Sequence, residues 1–229
     1  MSSHGGSSGG AAPATTVTGP DAFGYAAVVG TGLHYARNDH DHGLPVVNYT
    51  ALQYNDLLGW TFDGEIANTV LAPTAAGYLS LGRIPLPAPM TVTNLLVVAG
   101  NVPGVTLTHS FLALFKSDGT VIGQTVDQST AWSTGYTAYN LYTLPLAGGP
   151  YVCSPLTTND FLWAAIYCGT AVTLPRFYGA PNGVNPAFSV TSSARARMGF
   201  IGQANTATLG NIIPVNITPD TPALWFGIS

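Results

Sequence analysis

From residue 60 onward the chain reads in twos. Residues 78–84 alternate, and residues 90–99 alternate and then run apolar, as a strand passing from a half-buried to a buried position would. Residues 111–116 and 120–123 flank Ser117-Asp118-Gly119, whose Asp-Gly pair suits the positive φ of a hairpin turn. Further strands are predicted at 139–144, 160–168, 172–177, 197–202 and 223–228. The 17 prolines and 27 glycines punctuate these runs and argue against helices. About eight short strands at this spacing predict an all-β head of two sheets, a jelly-roll-like β-sandwich.

The chain before residue 60 follows another pattern. Residues 1–20 are Gly, Ser, Ala, Thr and Pro apart from Met1, His4 and Val17, and carry no charge. Such a stretch cannot bury enough apolar surface to fold alone, so it is read as an arm, flexible or docked along a partner. Ala26-Ala27-Val28-Val29 and Leu44-Pro45-Val46-Val47 are extended segments, while 49–59, with Leu52, Leu57 and Leu58, fits a short helix or a loop equally. The expected division is therefore 1–20 arm, 21–59 extended segment, 60–229 head.

Composition narrows the function. Charged residues are 7% of the chain, against about 25% in ordinary soluble domains. No apolar run reaches the length of a transmembrane helix, and the N-terminus has neither the basic nor the apolar region of a signal peptide. A charge-poor apolar chain without membrane insertion is expected to hide surface in oligomer contacts. With net charge −4 and six Lys and Arg, no basic patch exists for nucleic acid. Cys153 and Cys168 fall in or beside adjacent predicted strands; a disulfide is geometrically open, and two buried thiols are the commoner outcome.

The densest chemistry lies at residues 33–45, which hold three of the five histidines. His40 and His42 are two apart, so in extended backbone they share a face about 6.6 Å apart. One chain supplies two imidazoles, too few for a stable metal site. Three chains around a threefold axis supply six, an octahedral set for one iron- or nickel-like transition-metal ion. Asp39 and Asp41 would then orient the rings. The alternative is two solvated histidines in a polar loop.

Val28-Val29-Gly30-Thr31-Gly32 and Tyr35-Ala36-Arg37-Asn38-Asp39-His40-Asp41-His42-Gly43-Leu44-Pro45 together resemble the collar segment of bacteriophage tail-fibre and virion-appendage proteins. The tight part of the match spans residues 28–45, and the downstream region resembles more loosely the β-rich heads of actinobacteriophage minor tail or fibre proteins. The resemblance implies a homotrimer with metal held on its axis by His-x-His, an arm that anchors to other virion proteins, and a location on the particle surface after assembly in the host cytoplasm. It implies a structural role, as minor tail protein, tail fibre or capsid-surface decoration, with adhesion to host envelope glycans as the head's task. The rivals are a depolymerase cutting envelope polysaccharide and a bacterial adhesin; the lack of a signal peptide or sorting sequence speaks against the second.

An enzyme is not expected. Asp63 and Glu65 have the spacing of paired acids, but Asp63-Gly64 reads as turn chemistry. There is no Gly-x-Ser-x-Gly elbow, no phosphate loop ending in Lys, and no His-Glu-x-x-His. His109 stands alone in strand-like sequence and reads as a core or interface residue. Two aromatic groups, Trp132, Tyr136, Tyr139 and Tyr142, then Arg176, Phe177 and Tyr178, remain. Trp132, Tyr136, Arg176 and Tyr178 are the glycan-binding candidates, because rings beside polar groups can stack on sugars. The competing reading places these rings in the core or trimer seam, since Tyr136, Tyr139 and Tyr142 cannot all face one way on a regular strand.

Overall fold

The run Leu162-Trp163-Ala164-Ala165-Ile166-Tyr167-Cys168 does not alternate at all, and it lies at the centre of the fold. A strand apolar on both sides must have both sides covered. The computed structural model describes residues 52, 55–156, 160–180, 198–203, 207–219 and 223–229. Its strands are β1 (Gly59–Trp60), β2 (Thr69–Leu71), β3 (Tyr78–Leu86), β4 (Met90–Val92), β5 (Asn94–Val98), β6 (Thr108–Lys116), β7 (Val121–Gln124) and β8 (Leu141–Pro145). They continue as β9 (Tyr151–Cys153), β10 (Asp160–Thr170), β11 (Phe177–Ala180), β12 (Met198–Gly202), β13 (Thr218–Pro219), β14 (Ala223–Leu224) and β15 (Gly227–Ile228). The protein is all-β: every strand pairing described is antiparallel.

The apolar strand is β10, held between β3 and β6 in a six-stranded sheet of order β13-β12-β3-β10-β6-β7. One face of this sheet turns Ile84, Leu86, Leu112, Leu114, Leu162, Ala164 and Ile166 into a core shared with Leu95, Val97 and Ile228 of a four-stranded sheet, β1-β15-β5-β8. Leu71, Phe177 and Leu224 of a three-stranded sheet, β14-β11-β2, join the same core. An isolated bridge between Ala99 and Phe177 links these two smaller sheets. A β4-β9 pair adds Val92 and Cys153.

The other face of the six-stranded sheet is apolar too. Leu79, Leu81, Phe111, Ala113, Phe115, Trp163, Ala165 and Tyr167 form a second core with Leu209, Ile212 and Ile217. The strap 207–217 that brings these three is tied to the hairpin of β6 and β7. The Gln124 amide donates to the Ala207 carbonyl (2.8 Å) and accepts from the Leu209 N–H (2.9 Å). Val121 N–H donates to the Asn211 side chain (2.9 Å), and Ile212 N–H to the Gly119 carbonyl (2.9 Å). Gly119 has φ +88°, as the Asp-Gly signal predicts, and a β-carbon there would lie 2.1 Å from the Ile212 oxygen. Only glycine fits.

Two predicted strands divide because the chain changes sheets. The 90–99 run breaks at Thr93, whose N–H donates to the Ser229 carbonyl (2.7 Å); β4 pairs with β9, and β5 with β8 and β15. The 223–228 run breaks at Trp225-Phe226, between β14 and β15. The predicted strand at 172–177 is replaced by a single bridge at Thr173, with β11 starting at Phe177. Pro175 between them has no N–H to give a ladder.

Of 49–59, Leu52 is helical and Asn55-Asp56 form a turn, where described: Asn55 and Leu57 N–H both donate to the Leu52 carbonyl. Leu58 N–H donates to Ile228 (2.8 Å), so this body is already hydrogen-bonded before residue 60 and forms a compact unit, 51–229. The arm, the extended segments at 26–29 and 44–47, and the whole histidine stretch lie outside the described residues. Cys153 and Cys168 are free and buried. Burial pushes both thiols up, that of Cys168 to about 12.

Candidate functional site

The outer face of the four-stranded sheet carries a groove. On β5, Leu95 and Val97 point to the core, which leaves Leu96 and Val98 on the other side by strand alternation. The same argument places Trp60 outward, because a β-carbon on its neighbour Gly59 would meet Ile84 inside the core at 2.7 Å. Trp225 comes from the sheet-changing corner and lies over Gly227, where an added β-carbon would be 2.9 Å from its ring. No larger residue leaves room for that indole.

Buried polar groups fix this corner. The Thr61 hydroxyl, 1% exposed, accepts from Phe226 N–H (3.1 Å) and donates to the Leu224 carbonyl (3.4 Å). Thr61 N–H donates to Phe226 O (3.0 Å), and Trp225 N–H to Tyr178 O (3.0 Å). A 3-10 turn, Gly64–Ile66, covers one side, capped by the Asp63 carboxylate accepting from Glu65 N–H at 3.0 Å. Gly64 sits against Trp225: a β-carbon there would be 3.6 Å from the indole nitrogen. That N–H is buried and has no hydrogen-bond partner among the described residues.

The groove so made has a volume of about 430 Å³ and is lined by Trp60, Leu96, Val98, Leu141 and Trp225, with Asn55, Leu57, Asp63, Gly64 and Glu65 around them. A second concavity of about 320 Å³ adjoins it, sharing Gly64, Val98 and Trp225 and adding Ala67, Tyr139 and Tyr178. Tyr139 is 65% exposed, and its ring centroid lies 6.3 Å from that of Tyr178. It is held there at φ +63°, a left-handed conformation that costs a tyrosine roughly 1–2 kcal/mol. Its N–H is shared between the Ala99 and Gly100 carbonyls, both at 3.1 Å.

The four aromatic-site candidates thus separate. Tyr178 lines the second concavity. Trp132 is 0% exposed and packs edge-on to Phe177 at 5.2 Å, so it belongs to the core and offers no face to a sugar. Tyr136 is half-buried, its ring tilted against Tyr142, and its hydroxyl donates to the Arg176 carbonyl. Burial raises that hydroxyl's pKa to about 12. Arg176 takes part through its backbone: its carbonyl also accepts from Gly100 N–H (2.7 Å). Sequence reasoning missed Trp60, Trp225 and Tyr139 as one group, because residues 60, 139 and 225 meet only once the sheets form.

Asp63 and Glu65 reach the same groove, but Asp63 is engaged as the cap of the turn, as its Asp-Gly sequence suggested. His109 lies in β6 at φ +47°, half-buried, its charge acting on Asp127. Among the described residues no group of three His, Cys, Asp or Glu could hold a metal ion. His40 and His42 lie outside them. No protein-family model matches the chain, and no curated protein does.

Proposed function

We propose that the chain is a bacteriophage virion structural protein, a minor tail, fibre or capsid-surface component, whose β head adheres to envelope glycans through the groove beside Trp60 and Trp225. The groove carries this reading. A concave, mostly apolar surface with several aromatic rings and a few polar groups is the usual make-up of a ligand site, and flat rings match the apolar faces of sugar rings. Its combined volume, about 430 and 320 Å³, suits a short stretch of polysaccharide. The collar-like sequence at 28–45 and the low charge support the rest of the reading: a homotrimer with a jelly-roll-like head, anchored by the 1–20 arm, with His40 and His42 of three chains holding one transition-metal ion.

Calorimetric titration with fragments of host envelope polysaccharide tests the adhesive role. Saturable binding that Trp60→Ala weakens at least tenfold is expected; affinity unchanged in that variant would move the site elsewhere. Released reducing ends on prolonged incubation would favour the depolymerase instead. Light scattering should report three chains, and a stable monomer at micromolar concentration would end the trimeric reading.

A further inference from the structure

The charged side chains in the described lining of the groove are all of one sign. Among the described residues, Asp63 and Glu65 are the acids of its lining, no Lys or Arg lines either concavity, and Asp56 is exposed beside the lining residues Asn55 and Leu57. The remaining polar groups are neutral: the Asn55 amide and the hydroxyls of Tyr139 and Tyr178. Recognition of a uronate, sulfate or phosphate group calls for cationic donors, above all the bidentate guanidinium, and the described lining has none. A carboxylate brought into the same groove would meet two like charges on low-dielectric aromatic walls, where repulsion is screened less than in open water.

Both acids are placed to act on a ligand. The Asp63 side chain is held in position by its bond to Glu65 N–H, and Glu65 stands exposed on the turn that forms the groove wall. We infer that Asp63 and Glu65 are specificity residues that make this groove select uncharged and amine-bearing sugars and reject anionic ones. This rests on the glycan-binding reading and goes beyond it, since aromatic stacking alone is indifferent to charge. The acids also offer acceptors to a protonated amino sugar, a charge-assisted bond that a neutral sugar cannot make.

The test uses the full chain on an array of neutral, amine-bearing and anionic oligosaccharides of matched length, at low and at near-physiological salt. Neutral glycans should bind at both salts. Amine-bearing glycans should bind at least as well, with an advantage that shrinks as salt rises. Anionic glycans should bind at least tenfold more weakly. The double variant Asp63→Asn with Glu65→Gln keeps an acceptor at the cap. It should bring the three classes within about threefold of each other while leaving neutral binding in place. Anionic glycans bound as tightly as neutral ones, or a double variant that keeps the original ranking, would overturn the inference and leave the adhesive reading standing. An array on which nothing binds would overturn both.

Discussion

Replacing Gly119 with alanine should detach the strap that closes the second core. The residue needs φ +88°, which costs an alanine roughly 1–2 kcal/mol. The new methyl would sit 2.1 Å from the Ile212 oxygen and 3.0 Å from Pro214 Cδ, so backbone must move. Movement there loses the Ile212 N–H bond to Gly119, about 1 kcal/mol net. It also lifts Ile212, 3% exposed, and Leu209, 6% exposed, from a face where full burial is worth about 1.5–3 kcal/mol each. Partial loss of these terms sums to about 3–5 kcal/mol. For a body of this size that is a fall in melting temperature of roughly 6–20 °C. Gly210 is the internal control. Nothing lies within 4 Å of its added β-carbon, so Gly210→Ala should stay within about 1 kcal/mol of the parent. Calorimetric melting of the two variants and the parent, with limited proteolysis at 207–217, reads the difference. If Gly119→Ala melts with Gly210→Ala, the strap does not depend on this contact and the reasoning fails.

Three further outcomes are expected. Burial pushes the Asp127 carboxyl up, but the Ser129 hydroxyl and N–H, the Ser110 N–H and the charge of His109 outweigh it, leaving the pKa below the ordinary value. Since the folded pKa lies below the unfolded value of about 3.9, Asp127 adds its stability in full above that value and loses it as pH falls through the folded one. Asp127→Asn should therefore flatten the decline of melting temperature below about pH 4, and an unchanged slope would contradict this. Both thiols are buried with raised pKa values, so a thiol reagent at pH 8 should label neither within minutes in the native protein and both in denaturant; a thiol that reacts natively at the rate of free cysteine would show local opening. Tyr139→Asn replaces a strained left-handed tyrosine with a residue that tolerates the conformation, so stability should hold within about 1 kcal/mol while glycan affinity drops. A large loss of stability would mean that the ring packs for structure.

Legibility in the sequence followed the range of the interaction. Asp118-Gly119 announced its turn, and the alternation of residues 78–84 announced β3, because both signals are local. The sheet changes at Thr93 and Trp225-Phe226 were not legible, since a strand-like run looks the same whether it stays in one sheet or crosses a corner. Trp132 and Trp60 show the same limit for the site. Both are tryptophans among turn-forming residues, yet Trp132 is enclosed against Phe177, while Trp60 faces outward because Gly59 beside it must face the core. The order of core and surface among aromatics is set by partners more than 40 positions away, such as Phe177 for Trp132 and Ile228 for Gly59.

Tryptophan fluorescence during a glycan titration tests the groove most directly. The chain has four tryptophans: Trp132 and Trp163 are fully buried in the cores, whereas half-buried Trp60 and the edge of Trp225, itself 5% exposed, line the groove. Saturating neutral glycan should change the emission along the same isotherm as calorimetric binding, and the change should shrink in Trp60→Phe and again in Trp225→Phe. Binding seen by calorimetry with an unaltered spectrum, or a full spectral change in both variants, would contradict the assignment of this groove.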